Sequence, residues 1–195
     1  MSVDPPLLLL DVDGVLNALG RPLSDEWPDW RKGMATAAGS DYRIAWSPSV
    51  VGQLVGWHDA GRAEVQWLTT WGHDANRSLR HLLEMPELVV AGTYDEQWDL
   101  KGEPDPAPGS LAAVTPAARD ELTGRWWKFD VVRRVVRAQP DRRLVWLDDD
   151  LAGEDDLREW VRTEADCLPL APRPQTGLTP ADLEVVALWL EHSGR

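Results

Sequence analysis

Four consecutive leucines, Leu7–Leu10, stand between Pro6 and Asp11. An apolar run with no polar alternation suits a strand buried on both faces, the kind found in parallel sheets. The rest of the chain repeats the theme. Ser47-Pro48 supplies an N-cap and a first-turn proline, and Val51, Leu54, Val55 and His58 follow at helical spacing before Gly61. Ala63–Thr69 reads as the second strand, Asp74–Met85 as a helix with Leu79, Leu82 and Leu83 on one side, and Leu88–Ala91 as the third strand. Phe129, Val132 and Val136 mark a helix ending before Pro140, and Leu144–Leu147 is the fourth strand. Leu157, Trp160 and Val161 suggest another helix. A weak strand follows at Cys167–Leu170, where Pro169 lacks a ladder donor and predicts a sheet edge. Thr179-Pro180 opens a last helix. Strands alternating with helices predict an α/β fold: an open, Rossmann-like parallel sheet with helices on both faces. In such sheets ligands bind beyond the carboxyl ends of the strands.

Two segments break the alternation. Asn17 to Trp46 follows the first strand and holds a possible short hairpin near Tyr42–Ala45. Gly92 to Arg125 follows the third and carries Pro104, Pro106, Pro108 and Pro116. Each is too short for a large lid domain, so both are expected to be small caps or flaps at the ligand rim. At 195 residues the chain fits a single domain, 1–195, long enough to bury a core without disulfides. The single cysteine, Cys167, excludes an intrachain disulfide and any multi-cysteine zinc site, and fits a reducing cytoplasm. Leu7–Leu10 is too short for a membrane span and follows Asp4 rather than basic residues, so neither membrane association nor a secretory signal is expected. A net charge of −13 argues against broad, sequence-independent nucleic-acid binding.

The chemistry gathers at the strand ends. After the first strand comes Asp11-Val12-Asp13-Gly14. Two acids one residue apart can point to the same side where a strand runs out, and Gly14 permits a sharp turn. Such a pair can bind Mg²⁺, or one acid can attack while the other handles protons; a turn with solvated acids is the bland alternative. After the second strand, Thr69-Thr70 precedes free amides and a helix start, an anion cradle or simply a cap. After the fourth stands Asp148-Asp149-Asp150, three acids whose mutual repulsion calls for a cation or full hydration. Lys128, one of three lysines beside seventeen arginines, opens the helix before that strand. It is either a surface lysine or an offset to phosphate charge.

In this order, Asp-Val-Asp-Gly, Thr, Lys and Asp-Asp resemble the motifs of the haloacid dehalogenase (HAD) superfamily, over Leu7 to about Leu170. Trp67-Leu68-Thr69-Thr70-Trp71 is similar to a bacterial branch of small phosphatase domains, some attached to RNA-repair proteins. The resemblance implies a catalytic set of Asp11, Asp13, Thr69 and Lys128. Asp11 is the expected nucleophile, forming an aspartyl-phosphate, and Asp13 the acid that protonates the leaving group and then activates water. Family members acting on carbon–halogen bonds lack an acid at the position of Asp13, so phosphoryl transfer is favoured. Thr69 and the Thr70 amide are expected to hold the phosphoryl oxygens, with Lys128 steadying nucleophile and phosphate. Mg²⁺ is expected on the Asp11 carboxylate, the Asp13 carbonyl and the pair Asp148–Asp149, although Asp149–Asp150 matches nearly as well.

The remaining candidates have bland readings. Trp71, Trp126 and Trp127 can stack on a substrate ring, but core packing is the default for a chain with twelve tryptophans. His73 lies near the phosphate loop, and His58, His81 and His192 show no ligand spacing. Arg133, Arg134, Arg137, Arg142 and Arg143 form a local basic excess, most simply a solvated helix face. The sequence thus leads to a Mg²⁺-dependent phosphomonoesterase whose phosphorylated substrate is a small molecule, a nucleotide or a nucleic-acid end. The alternative is a non-catalytic HAD-fold binding protein.

Overall fold

The computed structural model describes residues 4–20, 25–93 and 127–192. Five parallel strands form one sheet in the order β5-β4-β1-β6-β7, with β1 (Leu7–Leu10) at its centre. β4 (Glu64–Trp67) and β6 (Leu144–Leu147) flank it in matching register, so Leu7 pairs with both Glu64 and Leu144. β5 (Val89–Val90) and β7 (Cys167–Leu170) are the edges, and Pro169 sits on an edge strand as its missing N–H requires. The four leucines of β1 alternate between two cores. Leu8 and Leu10 face one cluster, Leu7 and Leu9 the other, and none is more than 2 % exposed. Each leucine so buried stabilises the fold by roughly 1.5–3 kcal/mol.

Helices cover both faces. α1 (Pro48–Asp59), α2 (Arg80–Leu83) and α5 (Pro180–Glu191) pack into the first cluster, and α3 (Trp127–Ala138) and α4 (Asp155–Glu164) into the second. Ser47 caps α1 with Pro48 in its first turn, and Thr179 and Asp182 form a reciprocal capping box at α5. The expected helix over Asp74–Met85 is instead a π-helical turn, Ala75–Leu79, leading into the short α2. No helix among the described residues is long and apolar enough to cross a membrane.

The first insertion contains an antiparallel hairpin, β2 (Arg31–Ala37) and β3 (Ser40–Trp46), longer than the short pairing expected near Tyr42–Ala45. Its two-residue turn, Ala38-Gly39, has positive φ at both positions, as tight hairpins require. The hairpin is fastened to the π-helical turn: Thr36 N donates to Ser78 Oγ at 2.8 Å and Ala38 N to Asp74 Oδ2 at 2.9 Å. Nearly all of the second insertion, with its four prolines, lies outside the described residues.

Candidate active site

The carboxyl ends of β1 and β6 lie side by side, since the Asp11 amide donates to Leu147 O at 3.0 Å. The first acid beyond each strand therefore meets the other, and Lys128, in the first turn of α3, enters between them. Its Nζ lies 2.7 Å from Asp11 Oδ2 and 2.9 Å from Asp148 Oδ2, and all three residues are buried. Burial works against the lysine's charge, but Asp11 and Asp148 outweigh it and hold the ammonium pKa above its ordinary value. Asp148 also accepts from Trp146 Nε1 at 3.3 Å and, through Oδ1, from the Asp150 amide at 3.1 Å, capping the 3₁₀ turn Asp149–Gly153.

One lysine does not neutralise this group. Burial and the neighbouring Asp11 charge push Asp148 up to about 7 despite Lys128, and burial with Asp11 and Asp150 pushes the half-buried Asp149 up to about 6. Asp11, Asp148 and Asp149 each bring one carboxylate oxygen within 4.8 Å of the others. Three converging carboxylate oxygens, two of them on the raised acids Asp148 and Asp149, form a donor set that fits a hard divalent cation. Asp150 is exposed and contributes its amide to Asp148 rather than a carboxylate to this trio. Gly14, at φ +75°, lets the chain turn beside Asp149; a Cβ there would overlap the Asp149 carboxylate.

Asp13 faces a different set of partners. Its Oδ1 accepts from Asn17 Nδ2 at 2.6 Å and its Oδ2 from Trp71 Nε1 at 2.9 Å, so the Asp13 side chain stands apart from the carboxylate trio. Thr69 lies two residues past β4, fully buried, with Oγ1 accepting weakly from the Trp71 amide at 3.4 Å, while the Thr70 side chain is exposed. Asp11, Lys128, Asp148 and Asp149 thus form one contact group, and Asp13 is linked to the Thr69–Trp71 loop. Sequence reasoning assigned no role to Asn17 or Trp146 and treated Trp71 as core or stacking material. Asn17 lies four positions from Asp13 and Trp146 two from Asp148, a local signal, whereas Trp71 is 58 positions from Asp13 and has none.

Other candidates fall away from the site's chemistry. Trp127 is buried and Trp126 lies outside the described residues. Of the basic excess, Arg133 pairs with Asp130, Arg142 with Glu64 and Arg143 with Asp166, so much of that charge is internally matched.

A five-stranded parallel sheet whose central strand is followed by an acid, bridged by a lysine to the acid that follows the adjoining strand, defines the haloacid dehalogenase class of α/β proteins. Within it, the family described as "HAD domain in Swiss Army Knife RNA repair proteins" matches residues 7–183, and the chain belongs to that family. The likeness noted from the motifs alone, including its RNA-repair branch, is borne out. No curated protein and no solved structure matched the chain.

Proposed function

We propose that this protein, as one domain over residues 1–195, is a cytoplasmic, Mg²⁺-dependent phosphohydrolase that removes a terminal phosphate through an aspartyl-phosphate. The observation that carries the reading is the Asp11–Lys128–Asp148 contact: a buried, permanently charged lysine beside the acid at the tip of the central strand. A carboxylate approaching a phosphate dianion meets repulsion, and a preorganised cation removes it without reorganisation cost. Asp11 attacks phosphorus as the bond to the leaving oxygen breaks, and Asp13 delivers the proton that oxygen needs. Water then attacks the same phosphorus, Asp13 takes the water's proton, and the Asp11–phosphorus bond breaks to restore the carboxylate. The Thr69 hydroxyl and Thr70 amide hold the phosphoryl oxygens. Asp11, Asp148, Asp149 and the Asp13 carbonyl would hold the Mg²⁺, which supplies charge neutralisation of phosphate and nucleophile when bound.

The family description supports a phosphorylated nucleic-acid end or nucleotide as substrate. A net charge of −13 disfavours tracking along a polynucleotide but leaves a single terminal phosphate acceptable. The test is turnover of p-nitrophenyl phosphate and of 3′- and 5′-phosphorylated oligonucleotides, with Mg²⁺ and with EDTA. Metal-dependent turnover that vanishes in Asp11→Asn is expected. Undiminished turnover in that variant would remove Asp11 as nucleophile, and silence across the whole panel would favour a non-catalytic binding protein.

A further inference from the structure

The Asp13 carboxylate is held through both oxygens, by Asn17 at 2.6 Å and Trp71 at 2.9 Å. Both donors are buried, Asn17 at 3 % and Trp71 at 6 % exposure, and both are tied onward to the same strand. Asn17 Oδ1 accepts from the Ala45 amide at 2.9 Å, and the Trp71 ring meets the Tyr42 ring edge-on with centroids 5.5 Å apart. Ala45 and Tyr42 both belong to β3. An indole N–H donates and never accepts, so Trp71 can orient Asp13 but cannot relay its proton. With the ring enclosed by the fold, no face is left free for a substrate ring to stack upon. We propose that Trp71 is a positioning residue for Asp13. Together with Asn17 it fixes the rotation of that carboxylate, and through Tyr42 and Ala45 the β2–β3 hairpin sets where it points.

This rests on the reading of Asp13 as the acid of the proposed phosphohydrolase. A misdirected acid matters in proportion to the leaving group's need for a proton. p-Nitrophenolate departs without one, whereas an alkoxide does not. The informative quantity is kcat/KM, which ends at phosphoryl transfer to Asp11. It is measured for p-nitrophenyl phosphate and a simple alkyl phosphate in the wild type, Trp71→Phe, Asp13→Asn and the double variant. Phenylalanine keeps an aromatic ring against Tyr42 and removes the N–H. Trp71→Phe is expected to lower alkyl phosphate turnover by about tenfold or more and aryl turnover by less than about twofold, and to add nothing in the Asp13→Asn background. Equal losses on both substrates, undiminished alkyl turnover, or additive effects in the double variant would overturn the positioning role. Should Trp71→Phe fail to fold, Tyr42→Ala, at a side chain 47 % exposed, is expected to give a smaller split of the same sign, and a uniform effect overturns the role. Where only phosphorylated oligonucleotides turn over, they serve as the alkyl phosphate; a wild type inactive on these as well overturns the phosphohydrolase reading itself, and this inference with it.

Discussion

Lys128 is 5 % exposed, a placement that an ammonium tolerates only with partners, and its partners are Asp11 and Asp148. Removing one member of a buried ion group leaves the others uncompensated. Lys128→Met is therefore expected to lower the unfolding free energy by about 3–5 kcal/mol at pH 8. Urea denaturation measures it, and a cost under about 1 kcal/mol would mean that the lysine serves chemistry without holding the site together. Gly14 makes a second case. Gly14→Ala meets both a positive φ and the Asp149 carboxylate, so with Mg²⁺ bound as proposed it is expected to show a smaller metal-induced rise in Tm than the wild type. The acids of both motifs were legible because each directly follows an apolar strand, and parallel register brings those strand tips together. The Trp71–Asp13 bond was not, because it joins residues 58 apart whose encounter depends on how the loop after β4 folds back.

At the scale of elements, the same split between local and distant causes recurs. The helices and sheet strands could be read because caps, prolines and apolar spacing are local signals, and each agrees with the burial it produces. The hairpin was seen only in part. β2, Arg31–Ala37, carries little strand propensity of its own and is extended because it pairs with β3 and is bonded to Ser78, while the turn that follows it is bonded to Asp74. The helix expected over Asp74–Met85 is distorted for a related reason. Asn76, inside the π-helical turn, uses its amide to bond Leu88 N and O and to accept from Trp67 Nε1, a demand that helical spacing does not display. Ala38 occupies a left-handed conformation at φ 48° in the hairpin turn before Gly39. Asparagine adopts that conformation more readily, so Ala38→Asn is expected to raise stability by about 0.5–1 kcal/mol in thermal unfolding. Asp74→Ala, which removes the acceptor of the Ala38 amide, is expected to lower it by about 1 kcal/mol. If neither moves Tm, the hairpin is held by its apolar inner face and its bonds to Ser78 and Asn17 rather than by its turn.

For the molecule as a whole, the acidic balance makes stability depend on pH in a direction set by the site. Asp148 and Asp149, raised to about 7 and about 6 chiefly by burial, bind protons in the folded state at a pH where the unfolded chain has released them. Their contribution therefore favours the native state at low pH and is lost as pH rises through these folded values. Glu64, lowered first by its bond from Arg142, and Asp74, lowered first by the Ala38 amide, act oppositely. The stability they add is present above their unfolded values and is lost only on further acidification. Lys128, raised by its two acids, keeps its contribution throughout neutral pH. Between about pH 5 and pH 8, then, the site acids dominate, and in EDTA the Tm is expected to fall across that interval. On the proposed function, a divalent cation held by Asp11, Asp148 and Asp149 should reverse the trend, stabilising by mass action by about 2.7 kcal/mol at a hundredfold excess over Kd. The rise in Tm on adding Mg²⁺ should accordingly be larger at pH 8 than at pH 5, and Asp149→Asn should flatten both the pH slope and the metal effect. A Tm that rises with pH in EDTA, or a metal effect unchanged in Asp149→Asn, would mean that the repulsion among these acids is relieved by something other than a cation held between the strand tips.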